Sequence, residues 1–161
     1  MTYRQVVACA VAVAASLTWA RGKTTIVVDL GEYATAREAG HAEARVDWHD
    51  EDTSDDVACT HSFAALELQR ALRKMSNRDS DFSIVDDRVA PEGHLVLIGG
   101  AAPNAVTRQL TEELGISADQ LAALGPEGYR IKTISKNRTQ AVFVIGNDAR
   151  GVLFGVGRLL R

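Results

Sequence analysis

Ala141-Val142-Phe143-Val144-Ile145-Gly146-Asn147-Asp148-Ala149-Arg150-Gly151-Val152-Leu153-Phe154-Gly155-Val156-Gly157-Arg158-Leu159-Leu160 holds a strand, a break and a helix in one stretch. The first five residues are apolar and rich in β-formers, as in a buried strand. Gly146 and Asn147 interrupt it, and Asp148 is placed to cap the helix that follows. On that helix Val152, Leu153, Val156, Leu159 and Leu160 form an apolar stripe, expected to face a sheet. Phe154, Gly155 and Arg158 lie away from the centre of this stripe and are expected on the outer side.

Working upstream, Tyr129 to Ile134 alternates: Tyr129 and Ile131 fall on one face, Arg130 and Lys132 on the other. The polar turn Ser135 to Thr139 joins it to the strand at Ala141, which predicts a hairpin. Gly125-Pro126-Glu127-Gly128 is a turn before it. Leu95-Val96-Leu97-Ile98 is a continuous apolar run, expected in the middle of a sheet and ended by Gly99-Gly100. Thr24 to Leu30 reads as a first strand and Phe82 to Val85 as a short one. Ala58 to Ser76 has helical period, with Ala64, Leu68, Ala71, Leu72 and Met75 on one stripe; Asp55 or Asp56 caps its start and Asn77 stops it. Pro103 to Leu114 is a second helix, with proline in the first turn. Ala34 to Arg45 has helix-forming residues but only a weak stripe. The predicted order is β-α-β-β-α-β-β-α. It gives an α+β fold, a two-layer sandwich with helices packed on a mixed β-sheet.

The first twenty residues differ from the rest. Arg4 is their only charge, an apolar run spans Val6 to Ala15, and Thr18-Trp19-Ala20 supplies small residues before a cut. This is the pattern of a secretory signal peptide over residues 1–20, cleaved after Ala20. The run is too short to be a stable membrane span. Cleavage removes Cys9 and leaves Cys59 alone, with 17 basic and 21 acidic residues in the remainder. An exported chain without disulfides suits a bacterial periplasm or exterior. The whole chain has 161 residues and a net charge of −3, which argues against a general nucleic-acid binder.

Candidate chemistry is sparse. Asp47, Asp50, Glu51, Asp52, Asp55 and Asp56, with His41 and His49, form an acidic stretch, but neither calcium-loop nor zinc spacing is present. It reads as a solvated loop. Cys59 and His61 lie two apart, so on a helix they point to different sides and do not form a nucleophile and base. Ile98 to Asn104 joins a strand to a helix without a phosphate-loop pattern. Asn137-Arg138-Thr139 matches a glycosylation acceptor and carries no meaning in a bacterial host. Glu67 and Glu127 are the acids available for a glycosidase-like pair, and nothing places either in a cleft. Tyr33, Trp48 and Tyr129 are the stackers a carbohydrate-binding module would use. No metal or cofactor pattern stands out.

Glu127-Gly128-Tyr129-Arg130-Ile131 followed by Phe143 to Leu160 resembles the non-catalytic N-terminal α+β domain of large glycoside hydrolases. The similar families are α-glucuronidases and bacterial-type β-N-acetylhexosaminidases, whose second domain has a zincin-like outline without a metal site. Ala64-Ala65-Leu66-Glu67-Leu68 and the strand Leu95 to Gly99 agree with that pattern. Phe154 stands where tyrosine is usual. The resemblance covers residues 57–161, with residues 21–56 supplying the first strand and acidic loop. It implies that the final helix leads into a catalytic (β/α)8 barrel, absent here, so no catalytic residue is carried over to this chain. It also implies that the barrel is this domain's partner, and we expect Phe154, Gly155 and Arg158 to make the interdomain contact. The glycan would be met through the full-length enzyme.

Overall fold

The computed structural model describes residues 23–50, 54–89, 91, 93–100, 118–136 and 139–161. The elements are β1 (Thr24–Val28), α1 (Ala36–Gly40), α2 (Ser54–Ser76), a 3-10 turn (Asp79–Asp81), β2 (Phe82–Asp86), β3 (His94–Gly100), α3 (Ala118–Ala122), β4 (Tyr129–Lys136), β5 (Thr139–Gly146) and α4 (Ala149–Leu159). The strands form one mixed sheet in the order β2-β1-β3-β5-β4. β1 pairs in parallel with β2 and β3, and β3 with β5; β4 runs antiparallel to β5 as the predicted hairpin. The fold is α+β.

The apolar run of β3 has a direct cause in this order. β3 is the middle strand, and both its faces are buried. Val96 and Ile98 join Ile26, Val28 and Val144 in one cluster, which Ala64, Ala65 and Leu68 of α2 and Val152 and Val156 of α4 complete. Leu95 and Leu97 join Val27, Ala141, Phe143 and Ile145 on the opposite face. A strand buried on both sides must be apolar at every position, so period-two alternation is lost. Each such side chain contributes roughly 1.5–3 kcal/mol when removed from water. β4 is an edge strand, and Tyr129 to Lys132 are only partly buried.

Several expectations are corrected. α2 begins at Ser54, so Asp55 and Asp56 lie in its first turn and not in the acidic loop; there they complement the positive end of the helix dipole. Asn77 does end the helix, with a positive φ of 54°. Met75 does not belong to the buried stripe and is 74% exposed, because α2 outruns the sheet at this end. Its buried side also includes Ala58, Cys59, His61 and Ser62. Ala34 to Arg45 condenses to the short α1, capped by the Thr35 hydroxyl, which accepts from the Glu38 N–H. α3 was not expected. Residues 1–20, the segment Pro103–Leu114 expected to be a helix, Glu51, Asp52 and Asn137-Arg138 lie outside the described residues.

The stripe on α4 is also different. Gly151, Val152, Gly155 and Val156 are buried, Leu153 and Leu160 flank them, and Leu159 is exposed. Glycine lets α4 sit close to β4 and β5, and Leu159, the last residue of the helix, is exposed.

Candidate functional site

The two parts of the quoted motif, twenty residues apart in the chain, meet at one end of the sheet. Asp148 caps α4: its Oδ1 accepts from the Gly151 N–H at 2.7 Å. Its other oxygen, Oδ2, accepts from the Glu127 N–H, also at 2.7 Å. One carboxylate thus joins the turn before β4 to the start of α4. Asn147 adds two bonds, donating from Nδ2 to the Gly125 carbonyl at 3.0 Å and from its backbone N–H to the Gly128 carbonyl at 2.9 Å. Arg150 closes the joint by an ion pair with Glu127.

This joint explains an unusual backbone. The turn closes with the Gly128 N–H donating to the Gly125 carbonyl, and Pro126 occupies the position proline favours. The next position requires positive φ, normally met by glycine, yet Glu127 holds it at 60°. Asp148 and Arg150 grip Glu127 through its N–H and its carboxylate, which fixes that conformation. Burial alone would raise the Asp148 carboxyl. The N–H groups of Glu127 and Gly151 and the Arg150 charge outweigh it and hold the group below the usual carboxylate range.

The glycines of α4 do not share one role. A Cβ on Gly151 would run into the Gly128 carbonyl oxygen, so bare backbone is required for α4 to lie on the turn. A Cβ on Gly155 would come 2.6 Å from Cγ1 of Val144 and 3.3 Å from the Tyr129 side chain. Gly155 therefore faces this domain's own sheet, and its expected place on the outer side is wrong. The inward turn of the helix brings residues 151, 152, 155 and 156 to the sheet together. Phe154 (47% exposed), Gly157 and Arg158 are exposed; among the described residues nothing lies within 4 Å of where a Cβ on Gly157 would sit.

Cys59 and His61 are both buried but serve different neighbourhoods. Cys59 packs with Ala42, Val46 and Tyr33. Burial pushes its thiol up, the opposite of an activated nucleophile. His61 lies near the end of β3, where a Cβ on Gly100 would be 3.8 Å from its Cε1. Burial lowers its pKa to about 4, against a smaller opposing pull from Asp29, so the imidazole is neutral at pH 7. Among the described residues its Nε2 has no hydrogen-bond partner.

Residues 32–159 match the family described as the N-terminus of glycosyl hydrolase family 67. The chain belongs to this family. A search of curated proteins gave no match. The family-67 N-terminal domain is a non-catalytic part of α-glucuronidase-type glycoside hydrolases, and the match spans the joint and all of α2 and α4.

The remaining candidates of this family-67 domain take structural places. Glu67 pairs with Arg70 on the outside of α2, and Glu127 is committed to Arg150. Asp47 accepts from the His49 N–H within an exposed loop, and His41 Nδ1 lies 2.9 Å from the Arg37 carbonyl. Among the described residues no group of three or more His, Cys, Asp or Glu side chains is arranged to hold a metal ion. Among them, too, no helix is long and apolar enough to cross a membrane. Tyr33 lies under the Arg45 guanidinium, Trp48 donates to the Glu43 carbonyl, and Tyr129 packs against α4. Asp86 and Arg88 pair through two hydrogen bonds, and Arg88 also donates to the Gly31 carbonyl, tying the turn after β2 to the turn after β1.

The sequence reading named Asp148 as a cap but missed its second bond to Glu127. The signal was present: an Asp cap after β5 and, before β4, a turn with a non-glycine residue at a glycine position, flanking the two strands of one hairpin.

Proposed function

We propose that this chain is the structural N-terminal domain of an exported α-glucuronidase-type glycoside hydrolase and that it supports a (β/α)8 catalytic barrel in the same polypeptide. The observation that carries this reading is the family match over residues 32–159, which includes every residue of the joint. The chemistry of the joint agrees. Asp148, Glu127, Arg150 and Asn147 are the residue types that glycosidases use, and here they bind backbone groups and one another. The domain contributes position and rigidity, and the glycan is bound by the catalytic domain.

The test compares the isolated chain with the longer polypeptide of the same reading frame. Both are assayed on aryl glycosides and on oligosaccharides bearing glucuronic acid. The chain alone should give no turnover and the longer polypeptide should release glucuronic acid. Turnover by the chain alone, lost on changing Glu67 or Glu127, would refute the structural reading. Export is part of the same proposal, supported by Arg4, the apolar run and Thr18-Trp19-Ala20. Mass spectrometry of the mature protein should find Arg21 or a near neighbour at its N-terminus. Intact Met1 in soluble cytoplasm would overturn it.

A further inference from the structure

We infer that Trp48 is a stacking platform for a neutral glycan chain, a contact additional to the catalytic site. The inference rests on the reading of the chain as part of a glycoside hydrolase, which brings such a glycan to it. Three observations converge on this ring.

The first is how the ring is held. The segment His41 to Asp50 is anchored from below, where Ala42 and Val46 pack with Cys59 and Tyr33. The Arg45 and Val46 N–H groups donate to the Ala42 carbonyl at 2.7 and 3.2 Å. The Asp50 N–H donates to the Asp47 carbonyl, and Asp47 Oδ1 accepts from the His49 N–H, both at 3.2 Å. On this base the Trp48 indole N–H donates to the Glu43 carbonyl at 3.1 Å. The polar handle of the ring is thus used within the loop, while 46% of the residue stays open to solvent. Tryptophan is highly buried on average, so a ring displayed in this way is not core packing. A ring fixed before its ligand arrives loses little freedom on binding.

The second is the chemistry of ring and rim. The indole face carries the negative part of the aromatic quadrupole. A pyranose with equatorial hydroxyls offers it a flat side of axial C–H groups, apolar and weakly positive. Glu43 and Asp47 are exposed on the same segment, and carboxylates accept hydrogen bonds without donating any, which suits sugar hydroxyls. The third is charge. Glu43, Asp47 and Asp50 stand on this segment against the one guanidinium of Arg45. That guanidinium is already placed over the Tyr33 ring, 5.6 Å from its centroid, and 3.8 Å from the Glu38 carboxylate. A surface of this sign repels a uronate and admits an uncharged sugar. The occupant is the neutral main chain of a polysaccharide built from equatorially linked pyranoses, and its acidic side groups are left to the catalytic site.

The test begins with fluorescence. Trp19 is the one other tryptophan of the sequence, so Trp19→Phe makes the emission a report on Trp48 alone. This chain is titrated with xylohexaose, cellohexaose and hexagalacturonate. The two neutral hexasaccharides should shift the emission and saturate; hexagalacturonate should not. Binding by Trp48→Ala, read on the sugar by saturation-transfer NMR, should be weaker by about ten-fold or more, and Trp48→Phe, which keeps an aromatic face, should recover part of it. In the longer polypeptide Trp48→Ala should raise KM several-fold on a polymeric glycan bearing glucuronic acid and leave turnover of an aryl glucuronide unchanged. An emission indifferent to both neutral sugars overturns the inference. So does an equal response to hexagalacturonate, and so does an unchanged KM on the polymer. Release of glucuronic acid by the parent polypeptide is read separately. An active enzyme whose Trp48 ignores neutral sugars keeps the proposed function and ends the platform. A Trp48 that binds them in a polypeptide releasing no glucuronic acid keeps the platform and ends the assigned activity.

Discussion

Alanine substitution of three glycines on α4 separates helix propensity from packing, because the three occupy different surroundings on one helix. Alanine is favoured over glycine by about 1 kcal/mol in a helix interior, so propensity alone would stabilise all three variants alike. At Gly157 a Cβ meets nothing within 4 Å, and Gly157→Ala should keep most of that gain, about 0.5–1 kcal/mol. At Gly155 the new methyl would sit 2.6 Å from Cγ1 of Val144, a stiff β-branched side chain in the core. Overpacking of this kind costs about 1–3 kcal/mol, which leaves Gly155→Ala between neutral and about 2 kcal/mol destabilised. At Gly151 the obstacle is the Gly128 carbonyl, with backbone carbons of Glu127 and Gly128 at 3.1 Å. Backbone cannot change rotamer, so relief means shifting α4 off the turn and stretching both bonds to Asp148. Gly151→Ala should therefore lose about 2 kcal/mol or more, beyond the upper part of the overpacking range once the propensity gain is subtracted.

The assay is thermal unfolding by circular dichroism. One kcal/mol corresponds to about 2–4 °C for a domain near this size. Gly157→Ala should melt above the parent, Gly155→Ala at or below it, and Gly151→Ala lowest, by about 4 °C or more at that conversion. Three variants that all melt higher by the same amount would show that propensity alone governs the helix. The close seat of α4 on β4 and β5 would then be wrong.

Three further outcomes follow from the same structure. Burial lowers the His61 pKa from 6.5 to about 4, so the folded protein favours the neutral ring. That contribution is whole above pH 6.5 and is lost as pH falls towards 4, amounting to about 3 kcal/mol in all; melting temperatures measured from pH 7 to 4 should fall, and His61→Gln should flatten that limb. Asp148→Ala removes at once the two side-chain acceptors of the Glu127 and Gly151 N–H groups and should cost about 2 kcal/mol in urea unfolding, with Asp148→Asn recovering part of it. Since the Asp148 pKa is depressed, its contribution is present above the ordinary carboxylate pKa and is lost as pH falls through the folded value. Cys59, buried with a raised thiol pKa, should resist a thiol reagent in the native protein at pH 8 and react on unfolding; rapid native labelling at Cys59 would place it in a cleft instead.

The sheet was legible because its centre has no choice of residue. Leu95 to Ile98 is buried on both faces, and only a run without polar residues satisfies that. The hairpin was legible because a short polar turn, Ser135 to Thr139, separates two strand-like runs. Asn77 and Asp148 were legible because chain-local geometry decides stops and caps. The facing of α4 was not. A stripe counted from large apolar residues gives weight to Leu159 and none to glycine, yet the seat of α4 is built from Gly151 and Gly155, which contribute absence of bulk. The same blindness placed Gly155 outside and overlooked Gly157. Met75 was misassigned because periodicity continues along α2 after the sheet beneath it has ended. The bond from Asp148 to Glu127 joins residues 21 apart, and only the pairing of β4 with β5 brings them together.

These contacts give α4 a mechanical property that matters for a domain of this kind. Flexible side chains set the position of most surface helices, and such helices shift when a neighbour pushes. Here the N-terminus of α4 is fixed by a carboxylate with two backbone donors, and its inner side meets the Gly128 carbonyl with no side chain between. Interfaces between domains of one chain resemble transient ones, so relative motion is the default unless something restrains it. Residues of catalytic type thus serve here to fix a helix on its sheet. Asp148, Glu127 and Arg150 hold the helix at its N-terminus, and the bare backbone of Gly151 seats its inner side on the turn before β4.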